Sequence, residues 1–188
     1  MEITQQLLKA CRQNNRKAQY ELFVMCSPVL MGICSRYQQN DADSRSLMNE
    51  GFLKIILNLE KYPAEAPFKL WIRRIMINTI IDHFRKEKKY REQTAHAEQT
   101  ELQAVGGEGN EIQDTHNAEA LLQLIRQLPP VTCKVFNLFA IDGYSHFEVA
   151  QLLGISEGTS RWHVATARKI LSSLLKIEMY ESVKMKKG

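Results

Sequence analysis

Apolar residues recur at three- and four-residue intervals through most of the chain, which is the period of a helix buried on one face. From Thr4 to about Tyr90 this pattern predicts a run of amphipathic helices, broken near Asn14-Asn15, near Asn40-Asp41 and between Tyr62 and Pro67. It fades from about Arg91, where Glu, Gln and Gly dominate, including Gly106-Gly107-Glu108-Gly109-Asn110. Such a stretch has little to bury and predicts a flexible, acidic linker. The helical spacing returns at Asn117 with Leu121, Leu124, Ile125 and Leu128, and Pro129-Pro130 closes that helix before another begins. The expected fold is all-α: two small helical domains, residues 1–90 and 117–188, joined by a linker over 91–116.

Within the second domain, Tyr144 to Thr159 has the form of a helix-turn-helix. Val149, Leu152 and Leu153 supply an inner face, Gly154 can take the left-handed turn, Ile155 can plug the gap between the helices, and Ser156 can cap the second helix. On that helix Ser160, Val164, Ala167 and Leu171 fall on one side, which turns Gly158, Arg161, Trp162, Ala165 and Lys169 to the other. A basic face with small residues at its centre suits a DNA major groove. Arg161 is the candidate for a bidentate guanine contact, with a phosphate contact the alternative, and Arg168 and Lys169 are candidates for phosphates. An ordinary helical hairpin with a solvated basic face is the plainer reading.

Phe68 to Lys86 reads as a packed helix with a polar stripe. Arg74, Asn78, Asp82 and Arg85 lie along it, Trp71 stands beside it, and the helix runs out into Lys86, Lys88, Lys89 and Arg91. Cations next to an aromatic ring and an amide can hold a backbone and stack or read an unpaired base. Trp71 and Phe68 also fit a role as core residues, and the Glu60 to Pro67 connection fits either a pocket wall or a plain turn. Leu47 to Ile56 is an amphipathic helix with apolar residues on more than one side, suited to a partner helix or to packing inside its own domain.

Charge and composition sharpen this only slightly. Of 188 residues 44% are apolar, enough for one medium domain or two small ones, and the formal charge of +4 suits an anionic partner. Cys11, Cys26, Cys34 and Cys133 form no Cys-x-x-Cys pair and have no His at ligand spacing, so neither a metal site nor a disulfide framework is expected, and no cofactor is called for. They read as small core residues. The first thirty residues lack a signal-peptide pattern, and no window is expected to approach a membrane-spanning run, which predicts a cytoplasmic protein with no membrane insertion.

Taken together, the two blocks and the linker resemble the extracytoplasmic-function group of bacterial sigma factors, in the variety common in the Bacteroidetes. The first block is similar to that family's Leu-Val-Gln-Glu-Thr-Phe-Leu-Lys, here Leu47 to Lys54. It is followed by Phe-x-x-Trp-Leu-x-Arg-Ile-x-x-Asn-x-x-x-Asp-x-x-Arg, here Phe68 to Arg85, and then by Leu128-Pro129 and the Gly154 to Thr159 turn. The resemblance implies that the helix from about Ser46 to Leu59 docks on the clamp of the RNA polymerase β′ subunit, with Leu47, Glu50, Phe52, Leu53 and Lys54 as contact residues. It implies that Tyr62, Trp71, Arg74, Asn78, Asp82, Arg85 and Lys86 capture the −10 element of the non-template strand. It further implies that Ser156, Gly158, Thr159, Arg161, Trp162, Ala165, Arg168 and Lys169 meet the −35 duplex. The polymerase β flap and an anti-sigma factor are the other implied partners.

Three departures stand out. Ser44, Arg45 and Ser46 replace an acidic pair common in the family, Trp162 stands where a small residue is usual, and Thr166 where a basic one is frequent. A free-standing helix-turn-helix regulator would explain the C-terminal block but not Phe68 to Arg85. A nucleic-acid enzyme would need clustered carboxylates or a positioned nucleophile. Asp82-His83 and Asp41-Ala42-Asp43 are the faint candidates, and they read as a helix stripe and a helix cap. A protein-interaction module such as an anti-sigma factor would have no use for the basic helix.

Overall fold

The computed structural model describes residues 3–38, 40–94 and 117–185, and every regular element among them is helical. The chain divides into two compact units, Met1–Glu98 and Gln99–Gly188. The linker expected at 91–116 lies mostly outside the described residues. The helix before it reaches Thr94, beyond the expected domain end at 90, because the run of Lys, Arg, Glu and Gln there favours helix and contains no Gly or Pro.

In the N-terminal unit α1 (Gln5–Arg12) starts at Thr4, whose hydroxyl accepts from the Leu7 N–H at 3.2 Å. The first predicted break is real: Asn14 takes φ 59°, and Asn15 caps α2 (Arg16–Tyr37) through the N–H groups of Lys17 and Ala18. Pro28 sits inside α2 and cannot donate to the Val24 carbonyl one turn back. The Ser27 hydroxyl donates to that oxygen at 3.2 Å instead. The second break is also a cap, where Asn40 starts α3 (Asp41–Leu57) by accepting from the Asp43 N–H and donating to its carboxylate, each at 2.8 Å. Asp41 and Asp43 therefore sit in a first helical turn. A short 3-10 turn (Leu59–Lys61) follows, and Arg12 donates twice to the Leu59 carbonyl, tying α1 to it.

α4 (Phe68–Thr94) packs against α2 and α3 and completes the core. Leu22, Cys26, Leu30, Cys34, Ile55, Ile72, Met76 and Ile80 are fully shut from solvent. Gly51 lets α3 approach α4 closely, since a Cβ there would push the flexible Met76 thioether aside. α2 corrects one expectation: by length and composition it is apolar enough to cross a membrane. Its apolar residues are concentrated because the helix supplies Leu22, Cys26, Leu30, Ile33 and Cys34 to this core.

The C-terminal unit comprises α5 (Asn117–Arg126), α6 (Pro130–Phe136), a single wide turn over Asn137–Ile141, α7 (His146–Leu153) and α8 (Glu157–Met185). Pro130 opens α6, where its missing N–H costs nothing. Leu124, Ile125, Leu128 and Cys133 pack on Ala167 and Leu171 of α8, with Phe136, Ile170 and Leu174 at the margin. Burial pushes the Cys26 and Cys34 thiols up to about 12 and Cys133 to about 11, and raises Cys11 as well. All four are buried, protonated thiols outside any disulfide, as core residues would be.

Candidate nucleic-acid interface

α7 and α8 form the predicted helix-turn-helix through local chemistry. Ser145 caps α7 in a reciprocal box with Glu148, and Gly154 ends it at φ 65°, ψ 43°. Ser156 then caps α8, accepting from the Thr159 N–H at 3.0 Å and sharing a hydroxyl–hydroxyl bond with Thr159 at 2.9 Å. Val149 and Ala150 are buried, whereas Leu152, Leu153 and Ile155 are only half-buried, so the inner face of α7 is narrower than its spacing implied.

The division of α8 follows the prediction. Ser160, Val164, Ala167 and Leu171 are buried. Ser156, Gly158, Arg161, Trp162, Ala165, Arg168 and Lys169 are exposed, and Thr159 is half-buried beside its cap. Arg161 pairs with Glu157 one turn back at 3.3 Å. Both partners are exposed, so the pair is weak and the guanidinium can reorient at little cost.

Two histidines behind this face gave no signal in the sequence. His146 stacks on Phe139 with ring centroids 4.1 Å apart, and its Nδ1 lies 3.0 Å from the buried Ser160 hydroxyl. His163 Nδ1 lies 2.9 Å from the Thr132 hydroxyl on α6. Partial burial lowers the pKa of both, and the Arg161 guanidinium pushes His146 the same way. These rings join α8 to α7, to the wide turn and to α6, fixing the rotation that presents the basic face.

The N-terminal candidates occupy a different kind of surface. Tyr62, Phe68 and Trp71 form an aromatic cluster with ring centroids 5.0 to 5.6 Å apart. The Tyr62 hydroxyl donates to the Ala66 carbonyl and closes the loop before α4. Phe68 is buried, and Tyr62 and Trp71 are half-buried, so Trp71 serves the cluster and still shows part of its ring. Arg74, Asn78, Asp82, Arg85 and Lys86 are exposed along α4. Leu70, one turn before Arg74 and 61% exposed, extends that stripe, and no motif in the sequence singled it out.

The residues assigned to polymerase docking divide. Leu47 is 3% exposed and belongs to the core, so it offers no contact surface. Phe52 is half-buried and packs edge-on against Phe23 at 5.1 Å. Leu53, and with it the unpredicted Leu57, stand out from α3. Lys54 bridges Glu50 at 3.3 Å and Asp82 at 3.5 Å, so Asp82 is engaged across helices rather than facing outward alone. Ser44, one of the three residues standing where the family often has an acidic pair, is buried with its hydroxyl on the Asn40 carbonyl, so its side chain has no place in an external contact.

Two family models match in this order along the chain. Residues 22–90 match sigma-70 region 2, and residues 118–171 match sigma-70 region 4. The chain belongs to the extracytoplasmic-function sigma factors of the sigma-70 family. RNA polymerase sigma factor CarQ of Myxococcus xanthus is 26% identical over 87% of this chain and 92% of its own length. The sigma-E factor of Haemophilus influenzae is 23% identical over 90% and 93%. Among solved structures, the sigma factor RpoE of Bartonella quintana, seen with the anti-sigma factor NepR, aligns with TM-score 0.51 at 16% identity, covering 84% of this chain and 96% of that one. That likeness concerns the fold. In family terms, the aromatic cluster and α4 stripe lie in region 2, and the helix-turn-helix lies in region 4.

Proposed function

We propose that this protein is an alternative sigma factor whose two units read two separate promoter elements for one polymerase. The observation that carries this reading is the pairing, on a single chain, of a helix-turn-helix with a clean basic outer face and a second unit bearing half-exposed aromatics beside a polar helical stripe. The first surface suits duplex DNA, because a helix carrying Arg161, Arg168 and Lys169 beside small residues can enter a major groove and reach phosphates. The second suits an unpaired strand, because Trp71 and Tyr62 offer ring surface while Arg74, Asn78, Arg85 and Lys86 offer amide and charge. Neither alone opens a promoter.

In this reading α8 meets the −35 duplex and α4 holds the −10 non-template strand. The outer face of α3, with Glu50, Leu53, Lys54 and Leu57, meets the β′ clamp of core polymerase, and the C-terminal unit meets the β flap. Residues 95–116, which join the two units, let them serve elements set apart along DNA. An anti-sigma factor is the expected regulator, as in the Bartonella complex. The protein works in the cytoplasm without a cofactor and without catalysing a reaction, and the apolar content of α2 serves the core of region 2.

A run-off assay with bacterial core polymerase on randomised promoters tests this. Protein-dependent transcripts from templates sharing two short elements support it. Unchanged core activity, with the protein alone binding duplex DNA, would make it a free-standing regulator.

A further inference from the structure

Most of the outer face of α8 is small or charged, and one large aromatic residue stands among them. Trp162 is 61% exposed at the centre of that face. Gly158 lies one turn before it and Ala165 one turn after, so bare backbone and a methyl group flank the indole. A Cβ at Gly158 would meet only the Ser156 hydroxyl, at 3.6 Å, which confirms that the surface there is open. Along that row of the helix the indole is left uncovered. It is also supported from below: its ring packs edge-on against His163 at 4.9 Å, and His163 is held by Thr132. An uncovered ring on a fixed base is prepared for contact before any partner arrives.

The chemistry of the indole narrows what it meets. It carries no charge, so it neutralises no phosphate, and its one polar atom donates but does not accept. On the major-groove edge of DNA the apolar group is the thymine C5-methyl, and the neighbouring thymine O4 is an acceptor. Cytosine presents an amino donor at that place, which an indole N–H cannot satisfy. We propose that Trp162 is a specificity-determining residue that reads a thymine in the upstream promoter element through its C5-methyl group. This rests on the proposed sigma function and adds one base preference to it.

The test uses holoenzyme assembled from core polymerase and the full chain. A promoter selected from a library randomised in the upstream element is rebuilt with deoxyuridine at each thymine in turn, which removes the methyl and keeps the base pair. With the unaltered chain, one such substitution should lower initiation at limiting holoenzyme about fourfold, the worth of one buried methyl group. Trp162→Phe, which keeps an apolar ring, should retain that dependence, and Trp162→Ala should reduce it to less than about twofold. The proposal is overturned if no thymine shows methyl dependence, or if Trp162→Ala leaves the dependence intact. It is also overturned if Trp162→Ala weakens holoenzyme assembly while the holoenzyme that does form keeps its methyl dependence, which would give the ring to a protein partner. Absence of any protein-dependent transcript from the whole library would instead remove the sigma reading itself.

Discussion

The two units carry candidate nucleic-acid surfaces of opposite design. In the N-terminal unit the candidate surface is the back of a core helix: α4 supplies the fully buried Ile72, Met76 and Ile80 on one side and Arg74, Asn78 and Arg85 on the other. Its aromatic residues are shared between packing and exposure. In the C-terminal unit α8 is attached through a seam that includes the small residues Ser160 and Ala167, and nearly all of its outer face is left to solvent. Recognition and folding are thus fused in one unit and nearly separable in the other. A strand-opening surface needs rigid aromatic walls, which packing provides, whereas a groove-reading helix needs clearance.

The largest effect expected from this difference is Ile72→Ala. Truncating a fully buried isoleucine should cost about 3 kcal/mol, lowering the thermal midpoint of the N-terminal unit and all −10 function with it. Urea denaturation followed by circular dichroism measures the loss, and an unchanged midpoint would break the claim that α4 is both core and surface. Arg161→Ala should behave in the opposite way, leaving the denaturation midpoint within experimental scatter while weakening upstream recognition by about 2 kcal/mol, with relaxed preference at one base pair. A loss spread evenly over all sequences would reassign Arg161 to a phosphate.

Asn78→Ala sharpens the comparison from the N-terminal side. Its exposed amide carries no core load, so promoter opening should slow about tenfold with the fold intact, in line with the usual worth of a single base contact. Opening kinetics monitored by permanganate reactivity decide it. Ser145→Ala should cost the C-terminal unit about 1 kcal/mol through the lost α7 cap, and equal stability of the two proteins in urea would mean the capping box is idle.

The smallest effect is on pH. His146 and His163 have lowered pKa values when folded, so below their ordinary value of 6.5 the unfolded chain takes up protons that the folded one resists. More protons on the unfolded side means stability rises with pH, so the C-terminal unit should weaken as pH falls through 6.5 and level off once it lies below the folded values. Melting curves at several pH values should show this slope, and His146→Gln with His163→Gln should flatten it.

How much of this was legible follows from how local each cause is. The breaks at Asn14-Asn15 and Asn40, the turn at Gly154 and the cap at Ser156 depend on neighbours a few residues away, so the sequence states them. The two faces of α8 follow from one helical period, and every residue placed inward there is buried. The N-terminal surface was harder. Leu47 was assigned to a docking helix by resemblance but went into the core, since α3 has partners on more than one side and periodicity does not say which apolar row meets them. Leu70, which no motif singled out, stands exposed for the same reason.

What the sequence determined by itself was the helical class, the helix-turn-helix, the polarity of its reading face and the order of the two blocks, all set by caps, turns and a single buried row. Only the tertiary structure decided which α3 residues remain outside, that Lys54 spans Glu50 and Asp82, that Tyr62, Phe68 and Trp71 share one cluster, and that His146 and His163 hold α8 in place. Those contacts join residues on different helices, and a helical period fixes which side chains share a face without fixing what that face will meet.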